Sequence, residues 1–160
     1  MTSEEKKNSI GAAIGRIPSG VFIVTARDED HSTALLASWV QQVAFEPPLV
    51  ALAVKEGRPV QGLIESSNAF VINVLADGQN SLLGHFAAGF GPDEDAFDGI
   101  ATTDSNVGGT ILNDALAYME CNLHSKCQIS DHILFVGEVV GGEIQGEGSP
   151  YVHLRKSGFG

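Results

Sequence analysis

Positive charge is the scarcest resource of this chain. Its 160 residues hold 9 Lys and Arg against 20 Asp and Glu, a formal net charge of −11. Such a surface repels phosphate backbones and anionic lipid, so neither nucleic acid nor a membrane surface is expected as a partner. Cysteine is nearly absent as well. Cys121 and Cys127 are the only two, and six residues along one strand span roughly 20 Å. A disulfide between them would need the chain to fold back, so two buried or half-buried thiols are expected. No apolar run approaches the roughly 20 residues of a membrane span. The first residues, "MTSEEKKNSIGAAIGRIPSG", lack a long apolar core and carry Glu4 and Glu5. No signal peptide is expected there, and the cytoplasm is the expected compartment. There is no GxGxxG, P-loop, HExxH or GxSxG, no CxxC, and no metal-ligand spacing among the five histidines. These absences remove the commonest nucleotide, zinc-hydrolase and serine-hydrolase readings and leave no expected metal.

What is present reads as β structure. One domain over residues 1–160 is the natural count for this length. A helical lead-in is expected over about 4–16, where Ile10, Ala13, Ile14 and Ile17 recur at helical spacing. "GVFIVTAR" reads as a strand, "TALLASWVQQVAF" as one long strand with a polar patch, and "LVALAV" as a central apolar strand. "RPVQGLIESS" predicts a short helix with Pro59 in its first turn. "NAFVINVLA" is a strand, and "NSLLGHFAAGF" a helix with Asn80 as its N-cap. An acidic, Gly-rich loop follows over about 89–109, expected to be exposed and mobile or a lid. Two long strands and a short one close the chain. About seven strands at hairpin-like spacing, with no βαβ alternation, predict a mainly β fold: an antiparallel barrel with a few short peripheral helices.

Three places could carry chemistry. Between Arg27 and Lys126 the only cations are Lys55 and Arg58, at the exit of the central strand. An arginine fork and a lysine point charge, beside a helix opening at Pro59, suit a doubly charged phosphate. Taken alone, they serve equally as solubilising charges on a loop. Ser38, Gln41 and Gln42 form a polar patch inside an apolar strand. Alternation there puts Ser38 and Gln42 on one face and Trp39 and Gln41 on the other. Asp131 followed by His132 at a strand start reads either as an imidazole set in a pocket or simply as a turn capped by Asp131 with an exposed histidine.

The order "SGVFIVTA", "TALLASWVQQVAFEPPLVALAV", "FVINVLADGQ", "DALAYMECNL", "SDHILFVGEVV" and "PYVHLRKSGF" resembles the flavin reductase-like family of FMN-binding split barrels. The likeness extends to the flavin reductase domain of flavodiiron proteins, and it runs unbroken from about Gly15 onward. It implies an antiparallel split β-barrel that binds FMN, commonly as a homodimer. It implies an oxidoreductase in which NADH or NADPH passes hydride to flavin. A flavin-bound electron relay serving a redox protein partner is the alternative, and related barrels bind haem or pyridoxine phosphate.

Residue by residue, the resemblance assigns the flavin cradle to Leu35, Leu36, Ala37, Ser38 and Trp39, with Gln42 facing the ribityl chain. The phosphate loop matches Ala53, Val54, Lys55, Arg58 and Pro59. The family's Gly-Asp-His matches Ser130, Asp131 and His132, whose imidazole is expected near flavin and nicotinamide. This chain departs from the family pattern at Ala34-Leu35-Leu36-Ala37-Ser38, where Gly-Met-Thr-Ala-Ser is usual. It departs again at Gln41-Gln42, in place of Thr-Ser, and at Ser130, in place of glycine. Relatives continue past the last motif, so the resemblance also implies a C-terminal segment beyond Gly160 in such proteins.

Overall fold

The computed structural model describes all 160 residues. In chain order the elements are α1 (Ser3–Ile14), β1 (Ser19–Gly20), β2 (Phe22–Arg27), β3 (Ser32–Ala37), β4 (Val40–Ala44) and β5 (Leu49–Lys55). Then come α2 (Pro59–Ser67), β6 (Ala69–Val74), α3 (Asn80–Ala87), β7 (Thr102–Asp104) and β8 (Thr110–Leu112). The chain closes with β9 (Ala117–Ile129), β10 (His132–Ile144) and β11 (Val152–His153). No helix is long and apolar enough to cross a membrane.

The main sheet has seven antiparallel strands in the order β3-β2-β6-β9-β10-β5-β4. Its two edge strands, β3 and β4, are consecutive in sequence and separated only by Ser38 and Trp39. Laid flat, seven strands would put those edges about 29 Å apart. The three residue steps from Ala37 to Val40 reach at most about 11 Å. The sheet must therefore curl until its edges meet, and a split antiparallel barrel results.

This corrects the reading of "TALLASWVQQVAF" as one strand. The run of β-forming residues hides a break, because Ser38 and Trp39 hold no Gly, Pro, Asn or Asp to mark one. The break also cancels the alternation argument, since Ser38 belongs to neither strand.

Inside the barrel, Val24, Leu52, Phe70, Ile72, Ile133 and Phe135 pack with Val60 and Ile64 of α2. Burial of each such side chain is worth roughly 1.5–3 kcal/mol. A second cluster joins Val21, Ile23, Leu75, Phe86 of α3, Ala96 and Leu112. Gly137 lies at a β-bulge on β10, where a Cβ would stand 2.6 Å from the Phe70 ring.

Three further expectations change. Asn80 is the first residue of α3 rather than its cap; Gln79 occupies the cap and makes no side-chain cap bond. Its side chain is used elsewhere, accepting the Ala76 N–H at 2.8 Å and donating to the Asp114 carbonyl. The acidic stretch is not wholly open loop: it holds β7, which pairs with β8 just after it, buries Ala96, and packs Phe97 and Ile100 on the second cluster. The thiols part company as well. Cys127 is exposed, whereas Cys121 is buried, and burial followed by the charge of Glu120 pushes its thiol up to about 12.

Candidate functional site

The seam where the edges meet opens into a cleft. A cavity of about 180 Å³ is lined by Leu35, Leu36 and Ala37 of β3, Ser38 and Trp39 of the crossing, Ala53 and Lys55 of β5, Arg58 and His132. An adjoining space of about 480 Å³ shares Trp39, Lys55 and His132 and adds Asp131, Arg155 and the terminal Gly158–Gly160. The larger space falls within the roughly 300–1,000 Å³ usual for small-molecule sites.

Register explains the convergence. β5 and β10 are neighbours, and His132 lies directly opposite Lys55. The turn after Lys55 bends through Gly57 at φ +91°, a conformation that favours glycine. Arg58 then stands at the N-terminal cap of α2 with no side chain capping that end, and Pro59 is its first residue. Neither Lys55 nor Arg58 belongs to any ion pair within 4 Å. Two cations and a helix start therefore face the cleft together, the arrangement that receives an anionic group.

The β9–β10 turn sets the opposite wall. Ser130 has φ +49°, in the left-handed region where glycine is the easier residue. Gln128 donates to its carbonyl at 2.9 Å, and the Asp131 carbonyl accepts the Glu56 N–H at 3.0 Å, tying the two loops together. The Asp131 carboxylate lies 2.8 Å from His132 Nδ1. This hydrogen bond, aided by the charges of His132 and Lys55, holds the Asp131 carboxyl below its ordinary value. The imidazole lies 4.8 Å from the Trp39 ring, tilted by 32°, and the Arg155 guanidinium sits 5.0 Å from the same indole.

Of the twelve residues made up of the flavin cradle, Gln42, the phosphate loop and His132, nine line the first cavity. Three do not. Val54 is buried in the barrel core, its side chain turned from the cleft by strand alternation. Pro59 starts α2 without lining the cavity. Gln42 lies on β4 and donates to the Ala44 carbonyl; with Gln41, Val43 and Phe45 it lines a separate groove. Arg155 and the terminal glycines were missed. Arg155 lies in the quoted "PYVHLRKSGF", and its being one of nine cations was the available signal.

Comparison with known proteins fits this geometry. The model of the flavin reductase like domain matches residues 14–159. The chain belongs to the flavin reductase-like family. Among the family's relatives, diflavin flavoprotein A 1 of Synechocystis sp. is 40% identical over 148 residues, covering 91% of this chain and 26% of that protein. The chain spans about a quarter of the length of the curated relatives it matches, between 26% and 28% for the first three. Among solved structures, NADH:FAD oxidoreductase SgcE6 of Streptomyces globisporus C-1027 superposes with a TM-score of 0.82 at 26% identity. It covers 89% of this chain and 86% of that one. An FMN-binding protein from Thermus thermophilus superposes with a TM-score of 0.72 at 25% identity, over 81% and 74% of the two chains. The shared architecture is the flavin reductase split barrel, and the cleft lies at its seam.

Proposed function

We propose that this flavin reductase-like chain binds FMN in the cleft and takes reducing equivalents from NADH or NADPH. The observation that carries the reading is the set of two unpaired cations, Lys55 and Arg58, beside the uncapped start of α2, opening onto a cavity of mixed apolar and polar lining. The cleft fits the ligand's chemistry. A phosphate needs concentrated positive charge, which this chain of net −11 provides at few places. A flat ring needs apolar walls with a few polar groups, and Leu35 to Trp39 supply them. The SgcE6 oxidoreductase, a similar structure, has been solved with NAD and FAD fragments, and this supports a nicotinamide donor here.

When bound, the flavin supplies the two-electron hydride chemistry that side chains cannot. The residues of this chain bind and orient. Arg58 and Lys55 neutralise the phosphate, with the first N–H groups of α2 adding a favourable dipole. Leu35, Leu36, Ala37 and Trp39 exclude water from the ring. The Ser38 hydroxyl serves as donor or acceptor at the polar edge. His132, oriented by Asp131, donates a hydrogen bond toward the nicotinamide side of the cleft. The chain works as one unit in the cytoplasm, and as a homodimer whose second copy covers the exposed Val43 and Phe45 of the β4 edge. A monomer by sedimentation would remove that last element.

The test compares two ligands. Changing Lys55 and Arg58 together to Ala should weaken FMN about 100-fold or more, because each charge-assisted hydrogen bond is worth roughly 1.5–3 kcal/mol. Riboflavin, which lacks the phosphate, should change little. Equal losses for both ligands would put the phosphate elsewhere, and wild-type protein that takes up no flavin would end the reading.

A second reading is favoured by one observation: the chain matches only about a quarter of each diflavin relative. In it the same cleft holds flavin as a relay fed by a redox protein. Slow reduction by both nicotinamides, with fast reduction by a ferredoxin-like donor, would select it.

A further inference from the structure

Helix α1 is joined less to the barrel than to the end of the chain. Of its residues only Gly11 is buried, while Ile10 is 43% exposed. The apolar residues whose spacing predicts the helix thus do not explain its position. The C-terminal segment does. The Gly158 N–H donates to the Gly11 carbonyl at 2.7 Å, and the Arg16 guanidinium donates to the Arg155 carbonyl at 2.9 Å. The Lys7 ammonium stands 5.5 Å from the centre of the Phe159 ring.

Two glycines one turn apart make the fit possible. A Cβ on Gly11 would stand 2.6 Å from Ser157 Oγ and 3.0 Å from the Phe159 ring. A Cβ on Gly15 would collide with the Arg155 carbonyl oxygen, a backbone atom. Gly15 has φ −60°, so its need for glycine comes from that contact and not from its backbone angle.

The seated segment carries Arg155 to the Trp39 indole, and Trp39 stands beside His132. Trp39 lines both spaces of the cleft, so its orientation sets the shape of each. A guanidinium is weakly hydrated and stacks on aromatic faces, which suits it to fixing an indole that is 42% exposed. We propose that Arg155, seated by the Gly11–Gly15 face of α1, is a positioning residue that holds Trp39 beside His132 and so shapes the ligand cleft. Its effect on flavin affinity rests on the function proposed above; its effect on Trp39 does not.

Trp39 is the only tryptophan, so intrinsic fluorescence of the full ligand-free chain reads its surroundings directly. Arg155→Ala should shift the emission and make acrylamide quenching roughly twofold more efficient, with Arg155→Lys partly restoring both. Gly15→Ala, which removes no group from the cleft and suits the right-handed backbone of this C-cap (φ −60°), should reproduce the Arg155→Ala signature. FMN dissociation constants should rise about 3- to 10-fold in Arg155→Ala and Gly15→Ala. Circular dichroism melts confirm that each variant is folded. Unchanged emission in Arg155→Ala overturns the proposal. A change in Arg155→Ala but none in Gly15→Ala overturns the part played by α1. Altered emission with FMN affinity intact overturns the shaping of the cleft. If the wild-type chain binds no flavin, the proposed function falls, while the emission of the two variants still decides whether Arg155 holds Trp39.

Discussion

Two hollows on this molecule have comparable size and opposite character. One is the cleft at the barrel seam. The other, of about 380 Å³, is lined by Asp30, His31, Ser32 and the Pro92–Asp95 stretch of the acidic excursion. In and beside the acidic hollow, three carboxylates (Asp28, Glu94 and Asp95) are engaged by their own loops. Asp28 accepts the N–H groups of Asp30 and His31 at 2.9 and 2.8 Å. Glu94 accepts from Gly91 at 3.0 Å, and Asp95 from Phe97 at 2.9 Å. These carboxylates close turns. In the cleft, Lys55 and Arg58 are carried by a strand end and a helix start, and neither is paired. Volume does not separate the two places. What separates them is the sign of the charge, and that Glu94 and Asp95 already close turns whereas Lys55 and Arg58 stand unpaired.

The largest effect that tests this contrast lies beneath the acidic excursion. Phe86 packs edge-on against Phe90 and Phe97. Phe86→Ala should cost about 3–5 kcal/mol of unfolding free energy, as truncations of buried Phe generally do. Denaturant titration measures the cost. FMN affinity of the folded fraction should stay within about twofold if the two regions are independent, and a parallel loss would show that the excursion supports the cleft.

Charge reversal should separate the hollows next. Lys55→Glu should weaken FMN by two orders of magnitude or so. Glu94→Lys removes one turn-closing acceptor and should cost about 1 kcal/mol of stability, with little change in FMN binding. If Glu94→Lys weakened FMN as much as Lys55→Glu, the charge of the cleft would not be local.

The smallest effect concerns two aspartates whose carboxyls are both held below the ordinary 3.8, for different reasons. For Asp28 the leading cause is the backbone N–H of Asp30, followed by that of His31. For Asp131 it is the His132 side chain. A depressed carboxylate adds stability above its unfolded value, and that contribution is lost as pH falls through the lower folded value. His132→Ala should therefore bring the Asp131 titration up toward 3.8 and leave Asp28 low, as read by carboxyl carbon shifts in NMR. Movement of both would mean that the loops are coupled.

The sequence disclosed different things with different clarity. Periodicity exposed the strands of the barrel interior, because β2, β5 and β6 are apolar enough to be recognised singly. The ordered motifs disclosed the family, and with it Leu35 to Trp39, Lys55 and Arg58 as one site. Register placed His132 opposite Lys55, a pairing of residues 77 positions apart that no local pattern contains. The break at Ser38-Trp39 was hidden because barrel closure, not turn chemistry, demands it. Arg155 was hidden because its role depends on a helix at the other end of the chain. Gln42, assigned by the resemblance, lies outside the first cavity; β4 starts afresh at Val40, so the face shared with Ser38 that alternation predicted does not hold. The capping box of α1 was legible in "TSEE" but went unread, with the Glu5 N–H donating to Thr2 Oγ1 at 3.1 Å and the Thr2 N–H to Glu5 Oε2 at 2.6 Å.

The C-terminal segment that carries Arg155 also fixes where the polypeptide leaves the barrel. Gly160 itself lines the outer space of the cleft. Any polypeptide joined after it sets out from the cleft's own mouth, with α1 packed against the same segment. A chain tethered there would begin its search within a few residues of the proposed ligand cleft, where even a short flexible link gives a high effective concentration. The seating of the last residues on α1 thus sets the starting point of whatever is joined to them.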